Sequence, residues 1–233
     1  MAKEGKKYKQ VKGLVDMNKS YTMLEACELL KKTSTTKFDS SCEIHIKLGV
    51  DTKQADQLVR STVALPYGTG KVVRVIAFVN ENQVKEAKDA GAVKAGLEDL
   101  IEDILKGFLD FDVAVASPEV MKNLGKIAKI LGTKGLMPNP KAGTVTPEIA
   151  KTIAELKKGR VEFRTDKQGQ LHNTFGKVSF NATDLEGNLK ALLKAVSDTK
   201  PQGIKGTYIQ GLSVATTMGP GIKIDVSGAM SSL

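Results

Sequence analysis

Between positions 72 and 158 the sequence alternates apolar strand patterns with amphipathic helix patterns, while neither flank carries enough for a core of its own. VVRVIAFV (72–79) is apolar but for one Arg, as in a strand covered on both faces. NENQVKEAKDAGA then predicts a helix with Asn80 or Asn82 as N-cap and Gly91 as its stop. A short strand near 92–94 leads into LEDLIEDILKG, whose Leu97, Ile101, Ile104 and Leu105 share one helix face. FDVAVASP (111–118) is the next strand, and Ser117, Pro118 and Glu119 open the helix EVMKNLGKIAKILG. Thr146, Pro147 and Gly159 bound one more helix. The pattern is that of an α/β unit with a largely parallel sheet.

Before position 68, Thr22 and Glu25 form a capping box for a helix, and SCEIHIKLGVD is one strand. That piece has to pack on something. After position 159 come a hairpin made of RVEFRTD and LHNTFGKVSF around a DKQG turn, a helix opened by Thr183 or Asp184, and two strands, TYIQGLSVATTM and GIKIDV, joined at MGPG. The expected architecture is therefore two domains: residues 1–67 plus 159–233 as a split-chain α+β domain, with residues 68–158 inserted as a Rossmann-like three-layer α/β domain. Gly68, Gly70 and Gly159 lie at the crossings, where permissive backbone suits a hinge.

The motifs of catalysis are missing. GTGK (68–71) precedes a strand, whereas a phosphate-binding loop follows one, and no GxGxxG or GxxxxGK[ST] occurs after a strand. His45 and His172 each sit within a strand pattern, without a Cys or carboxylate at metal-ligand spacing. Glu98, Asp99, Glu102 and Asp103 crowd one helix in the manner of a solvated face. Cys27 and Cys42 have no metal-type spacing and are expected to be reduced. No enzyme, cofactor or metal is expected. The basic N-terminus is not followed by a signal-type apolar run and no stretch has the length of a membrane span, so a cytoplasmic location away from membranes is expected.

Charge is more informative. The chain has 35 Lys+Arg against 26 Asp+Glu, a balance that favours polyanionic partners. Most of the excess falls in the split-chain part. Within the insert, Lys122, Lys126, Lys129, Lys134 and Lys141 run without an acid between them, the first three sharing a helix face at i, i+4 and i+7 and the last two lying in the Gly- and Pro-rich loop 132–143. A second constellation forms when KFDSSCEIH (37–45) is set beside VATTMGPG (214–221): Phe38 and Met218 with Ser41, Thr216, Thr217 and Gly219. Apolar surface, small hydroxyls and bare backbone in one place suit RNA, although core packing explains Phe38 and Met218 as well.

LGTKGLMPNPKAGTVT (131–146), KFDSSCEIHIKLGVD (37–51), LPYGTGK (65–71) and ATTMGPG (215–221) closely resemble the family of bacterial ribosomal protein one of the large subunit. The resemblance covers nearly the whole chain. It implies a nested two-domain fold with a hinge, and binding to the mobile rRNA side stalk near the tRNA exit site. It further implies assistance to the release of deacylated tRNA, repression of the chain's own messenger RNA, and a monomeric free state. Carried over position by position, Phe38, Ser41 and Glu43 match strand-entry RNA contacts, and Thr217, Met218 and Gly219 match closing-loop contacts. Lys37, Lys167 and His172 match supporting phosphate or sugar contacts. Glu43 has a second reading as the partner of a nearby Lys or Arg. Tyr67 stands where this family commonly has His, Cys42 replaces a β-branched residue, and residues 173–175 depart from a Pro-containing stretch. The alternative function is a two-domain transferase acting on a phosphorylated metabolite.

Overall fold

A computed structural model of the chain describes residues 5–54, 56–204 and 206–233; the side chain of Lys141, counted in the basic run above, lies outside the described set. In chain order the elements are α1 (Lys6–Lys12), α2 (Met23–Thr33), β1 (Ser41–Leu48), β2 (Arg60–Ala64), β3 (Val75–Phe78), α3 (Glu81–Asp89), β4 (Lys94–Gly96), α4 (Glu98–Leu105) and β5 (Val113–Ala116). A 3-10 helix (Pro118–Lys126) follows, then α5 (Ala128–Lys134), α6 (Ile149–Lys157), β6 (Arg160–Arg164), β7 (Gln170–Lys177), α7 (Ala182–Asp198), β8 (Ile209–Thr216), β9 (Ile222–Ile224) and α8 (Val226–Ser231). Two compact units are distinguished, Met1–Gly70 with Val161–Leu233, and Lys71–Arg160.

The first unit is built on a four-stranded sheet in the order β7-β1-β8-β9, antiparallel throughout. Period-two alternation sends Cys42, Ile44, Ile46 and Leu48 of β1 inward, together with Leu212 and Val214 of β8 and Ile222 and Ile224 of β9. Against them pack Met23, Ala26, Cys27 and Leu30 of α2, and Leu185, Leu189, Leu192, Leu193 and Val196 of α7. Each of the buried Val, Leu, Ile and Met side chains contributes about 1.5–3 kcal/mol of burial. The same alternation turns Glu43, His45 and Lys47 to the opposite face, beside Thr174, His172 and Gln170 of β7 and Ala215, Ser213 and Gly211 of β8. That face is polar and half-exposed.

Thr22 caps α2 as expected: its side chain accepts from Glu25 N–H and the Glu25 carboxylate accepts from Thr22 N–H. The hairpin expected after 160 does not form as a ladder. β6 pairs instead with β2, a strand the sequence pattern did not announce, and only a single bridge, Thr165 with Leu171, joins the two arms of the turn. Thr165 explains the departure, because its N–H and hydroxyl both donate to the Val59 carbonyl. Helix α7 starts earlier than expected, with Asn181 at the N-cap position.

One buried polar side chain ties the segment after β2 to α7. Asn188 is fully buried, accepts from Tyr67 N–H at 3.0 Å, and donates to the carbonyls of Gly68 at 2.9 Å and Phe175 at 2.8 Å. Gly68 and Gly70 follow with φ of 69° and 70°, and Gly159 of the second unit has φ 105°. All three lie in the left-handed region that favours glycine.

The second unit holds a parallel three-stranded sheet in the order β4-β3-β5, covered on both faces. Ile76, Phe78, Ala114 and Ala116 pack on one side with Leu100, Ile101 and Ile104 of α4 and Val120, Leu124 and Leu131 beyond β5. Val75, Ala77, Val79 and Val115 pack on the other with Ala87 of α3 and Ile149, Ile153 and Leu156 of α6. Several boundaries differ from expectation. β3 begins only at Val75, since Val72 is exposed, and Leu105 of α4 points outward while Leu100 takes the core position. The single helix expected after Pro118 is two, a 3-10 segment and α5, broken at Ile127. The Lys122, Lys126, Lys129 series is therefore not one continuous α-helical stripe. α6 starts at Ile149, after Glu148 N–H has donated to Thr146 Oγ1 at 3.2 Å.

Candidate nucleic-acid interface

The two segments singled out in the first unit meet at one end of the sheet. Ser41 opens β1 and Thr216 closes β8. Beyond them Thr217 N–H donates to Ser41 O at 3.1 Å, and Ser41 N–H donates to Thr217 Oγ1 at 3.2 Å. The loop entering β1 is laced by hydroxyls: Thr36 donates to Phe38 O at 3.0 Å, and Ser40 bonds both Thr36 and Ser34. Asp39 accepts from Ser179 N–H at 3.1 Å and from its hydroxyl at 2.8 Å. Held in this way, Phe38 keeps 60% of its surface exposed, and Lys37 is exposed beside it.

Thr216 to Gly219 is a tight turn closed by Gly219 N–H donating to Thr216 O at 2.9 Å. Met218 is its third residue, with φ 69°, the one non-glycine residue at positive φ among the described residues, and it is 76% exposed. A β-turn with positive φ at that position ordinarily takes Gly or Asn. Backbone strain of about 1–2 kcal/mol is thus held at a residue whose apolar side chain is exposed, and strained backbone of this kind concentrates at functional sites. A Cβ added at Gly219 would lie 2.2 Å from Thr216 Oγ1, so any larger residue there forces the Thr216 side chain or the turn to shift.

Glu43 lies one pleat further along the open face, between Thr174 and Ala215. No ion pair to it is formed among the described residues, so its reading as the partner of a Lys or Arg has no counterpart there. The next pair on that face is His45 with His172, directly opposite each other. Their Nδ1 atoms are 2.8 Å apart, and His172 Nε2 is 3.6 Å from Asp166 Oδ2. Burial and the neighbouring His172 push His45 below the usual imidazole range, against a smaller opposing pull from Glu43. Lys167 is exposed in the turn before β7, at the far end of the β1/β7 ladder. From Ser41 to Lys47 the strand covers roughly 20 Å. Phe38, Ser41, Thr217, Met218 and Gly219 therefore form one cluster, Glu43 and His172 extend it along the sheet, and Lys167 stands apart.

Two residues at this face escaped the sequence reading. Lys177 stands opposite Ser41 in register and donates to Ser41 Oγ at 2.9 Å and Asp39 O at 3.3 Å, which brings a cation into the cluster. The other is His45, which the strand pattern alone leaves without a partner. Only the pairing of strands 127 positions apart sets it against His172.

In the second unit Lys122, Lys126, Lys129 and Lys134 are exposed. The loop after α5 is fixed rather than slack: Gly135 at φ 71° ends the helix, and Asn139 and Thr144 close on each other through Asn139 N–H to Thr144 Oγ1 at 2.8 Å. The four acids of α4 are surface groups; Glu102 pairs with Lys106, and Asp103 with Lys94 at 2.6 Å. Cys27 and Cys42 are free and buried, each thiol pushed up to about 12 chiefly by burial, which leaves both unreactive. Among the described residues no group of three or more His, Cys, Asp or Glu side chains is placed to hold a metal ion, and no helix is long and apolar enough to cross a membrane.

The profile of the Ribosomal protein L1p/L10e family matches residues 30–220. The chain is 52% identical over 226 residues to the large ribosomal subunit protein uL1 of Thermosipho africanus, with 97% of each chain covered. It is 50% identical over 224 residues to the uL1 protein of Chlorobaculum tepidum, covering 96% of this chain and 97% of that one. With the uL1 protein of Mesoplasma florum it shares 51% identity over 228 residues, covering 97% and 100%. The chain belongs to the Ribosomal protein L1p/L10e family. Members of this family are ribosomal proteins and not enzymes, which sets the transferase alternative aside.

Proposed function

We propose that this chain is an RNA-binding protein of the large ribosomal subunit that grips the mobile rRNA side stalk with the end of its four-stranded sheet where β1 begins and β8 finishes. The observation that carries this reading is the junction of Ser41 with Thr217, which sets the exposed Phe38 and the strained, exposed Met218 at the same end of that sheet. Apolar surface for a base or ribose, hydroxyls for the 2′-OH, and a cation in Lys177 are the chemistry that single-stranded or irregular RNA calls for. Membership of the family supports the ribosomal setting.

In this reading Met1–Gly70 with Val161–Leu233 is the RNA-binding domain and Lys71–Arg160 an inserted three-layer domain. Gly68, Gly70 and Gly159 supply the hinge between them. Phe38, Ser41, Glu43, Thr217, Met218 and Gly219 contact the stalk directly, with Lys37, Lys167 and His172 supporting. The free protein is a cytoplasmic monomer. The insert's exposed lysines, together with the loop 132–143, face further rRNA or the departing exit-site tRNA, and a stalk-like element in the chain's own messenger allows repression.

The test is equilibrium binding of the purified chain to a transcript of the stalk segment and to an equal-length structured control across a salt series. Selection of the stalk is expected. If about six phosphates are neutralised, the logarithm of affinity falls against log salt with a slope near −5, at ~0.9 per phosphate. Equal affinity for both transcripts, or an affinity flat in salt, refutes the reading.

A further inference from the structure

The histidine pair on the open sheet face is joined through its two δ nitrogens, 2.8 Å apart, and such a bond needs one N–H and one lone pair. The pair alone does not decide which ring donates. Asp166 does. Its Oδ1 accepts the N–H groups of Gln168 and Gln170 at 2.8 and 2.7 Å, and these bonds, that of Gln170 foremost, hold its carboxyl below the usual range. Asp166 is therefore ionised at neutral pH, and its Oδ2 faces His172 Nε2 at 3.6 Å. A carboxylate oxygen at that distance repels a lone pair and attracts an N–H. The proton of His172 accordingly sits on Nε2, its Nδ1 is the acceptor, and His45 supplies the N–H between the two rings.

We propose that His45 is a positioning residue of the RNA site, whose Nδ1–H locks His172 in the tautomer that presents Nε2–H to a phosphate or ribose oxygen. This rests on the RNA reading above. His172 keeps 48% of its side chain exposed, and its contact to Asp166 exceeds hydrogen-bond length, so an RNA oxygen competes for the same N–H on good terms. His45 lines a groove of about 550 Å³ on that face with Lys47, Gln170, Ser213 and Lys223. The charged groups around the pair are Glu43 and Lys47 on β1, Asp166 before β7, and Lys223 on β9. Lys47 donates to the Gln168 carbonyl at 2.6 Å, on the turn that presents Asp166. Metal-ligating histidines are likewise held in one tautomer by the hydrogen bond that their other ring nitrogen makes; here that bond comes from His45.

The chain has two histidines, so its ring nitrogens can be read individually. A two-bond proton–nitrogen correlation spectrum of the free, histidine-labelled protein at neutral pH is expected to show His172 protonated on Nε2 and His45 protonated on Nδ1. The opposite assignment, or two rapidly exchanging tautomer mixtures, overturns the lock.

In RNA binding, His45→Phe removes the donor and is expected to weaken stalk-transcript affinity by about five- to tenfold, the scale of one hydrogen bond. His45→Gln, whose amide can still donate to His172 Nδ1, is expected to stay within about twofold of the wild type. Adding His45→Phe to His172→Phe should change nothing further. Unchanged affinity in His45→Phe, or an equal loss in His45→Gln, overturns the positioning role. Failure of the wild-type chain to select the stalk transcript overturns the RNA role itself, while the spectrum of the free protein decides the lock separately.

Discussion

Ser41 and Thr217, 176 positions apart in the chain, are joined through two backbone N–H groups: Thr217 N–H donates to the Ser41 carbonyl, and Ser41 N–H to the Thr217 hydroxyl. One hydroxyl thus closes the ends of β1 and β8 at the point where Phe38 and Met218 leave the sheet.

Met218 is expected to trade stability for binding. Met218→Gly removes the left-handed strain, worth about 1–2 kcal/mol, and returns about 0.5–1 kcal/mol of it through the looser unfolded chain. A net gain of roughly 0.5–1 kcal/mol in urea unfolding is expected, alongside weaker stalk binding. A variant that is both less stable and equally tight in binding contradicts the assignment of strain to function.

Gly219 and Thr216 should behave as a coupled pair. Gly219→Ala brings a Cβ to 2.2 Å from Thr216 Oγ1 and is expected to destabilise by about 1–3 kcal/mol. Thr216→Ala opens that space, and since Thr216 Oγ1 is buried without a hydrogen-bond partner, it loses no bond in doing so. The double variant should recover part of the loss; strict additivity in denaturant unfolding contradicts the contact.

How legible this was in the sequence depended on how local the cause was. The Thr22–Glu25 cap, the alternation of β1 and the turn joining β8 to β9 are all written within a few residues of where they act, and each formed as expected. The hairpin after 160 failed because Thr165 prefers the Val59 carbonyl, over 100 residues away, to a ladder with its own neighbour. The break at Ile127 divides a basic stripe that helical spacing alone made continuous. In the candidate site, the stretches holding Phe38 and Met218 could be set side by side from the hydroxyls in both and from Gly219 beside Met218, but core packing explained the two side chains equally well until the structure showed them exposed. Lys177 and His45 were missed, because their roles exist only through the pairing of β1 with β7.

Asn188 is expected to be the most sensitive polar residue of the first unit. Asn188→Ala leaves Tyr67 N–H and the Gly68 and Phe175 carbonyls without their partner, at a cost of about 3 kcal/mol or more. Asn188→Asp, which turns a donor into a charge facing two carbonyls, should be worse still. Thermal unfolding of both variants checks the order, and a benign Asn188→Asp contradicts it.

Acid should weaken the second unit through Asp112. Burial pushes its carboxyl up, but the Lys71 ammonium at 2.7 Å and the Arg74 amide and guanidinium outweigh it and hold the group at about 2, below its ordinary 3.8. A depressed carboxylate contributes stability that is complete above the ordinary value and is lost as pH falls through the folded one. Asp112→Asn should therefore lower stability at neutral pH and flatten the decline between about pH 4 and 2. A variant with an unaltered acid limb in equilibrium unfolding contradicts this.

The central claim, that the end of the sheet bearing Phe38 and Met218 is the RNA-gripping surface, is tested most directly by measuring stalk-transcript affinity for Met218→Ala beside Lys126→Ala at one fixed salt concentration. Met218→Ala should lose about 1–3 kcal/mol, the scale of a good specific contact, while Lys126→Ala changes little. Equal losses in the two variants, or a loss confined to Lys126→Ala, would contradict the account.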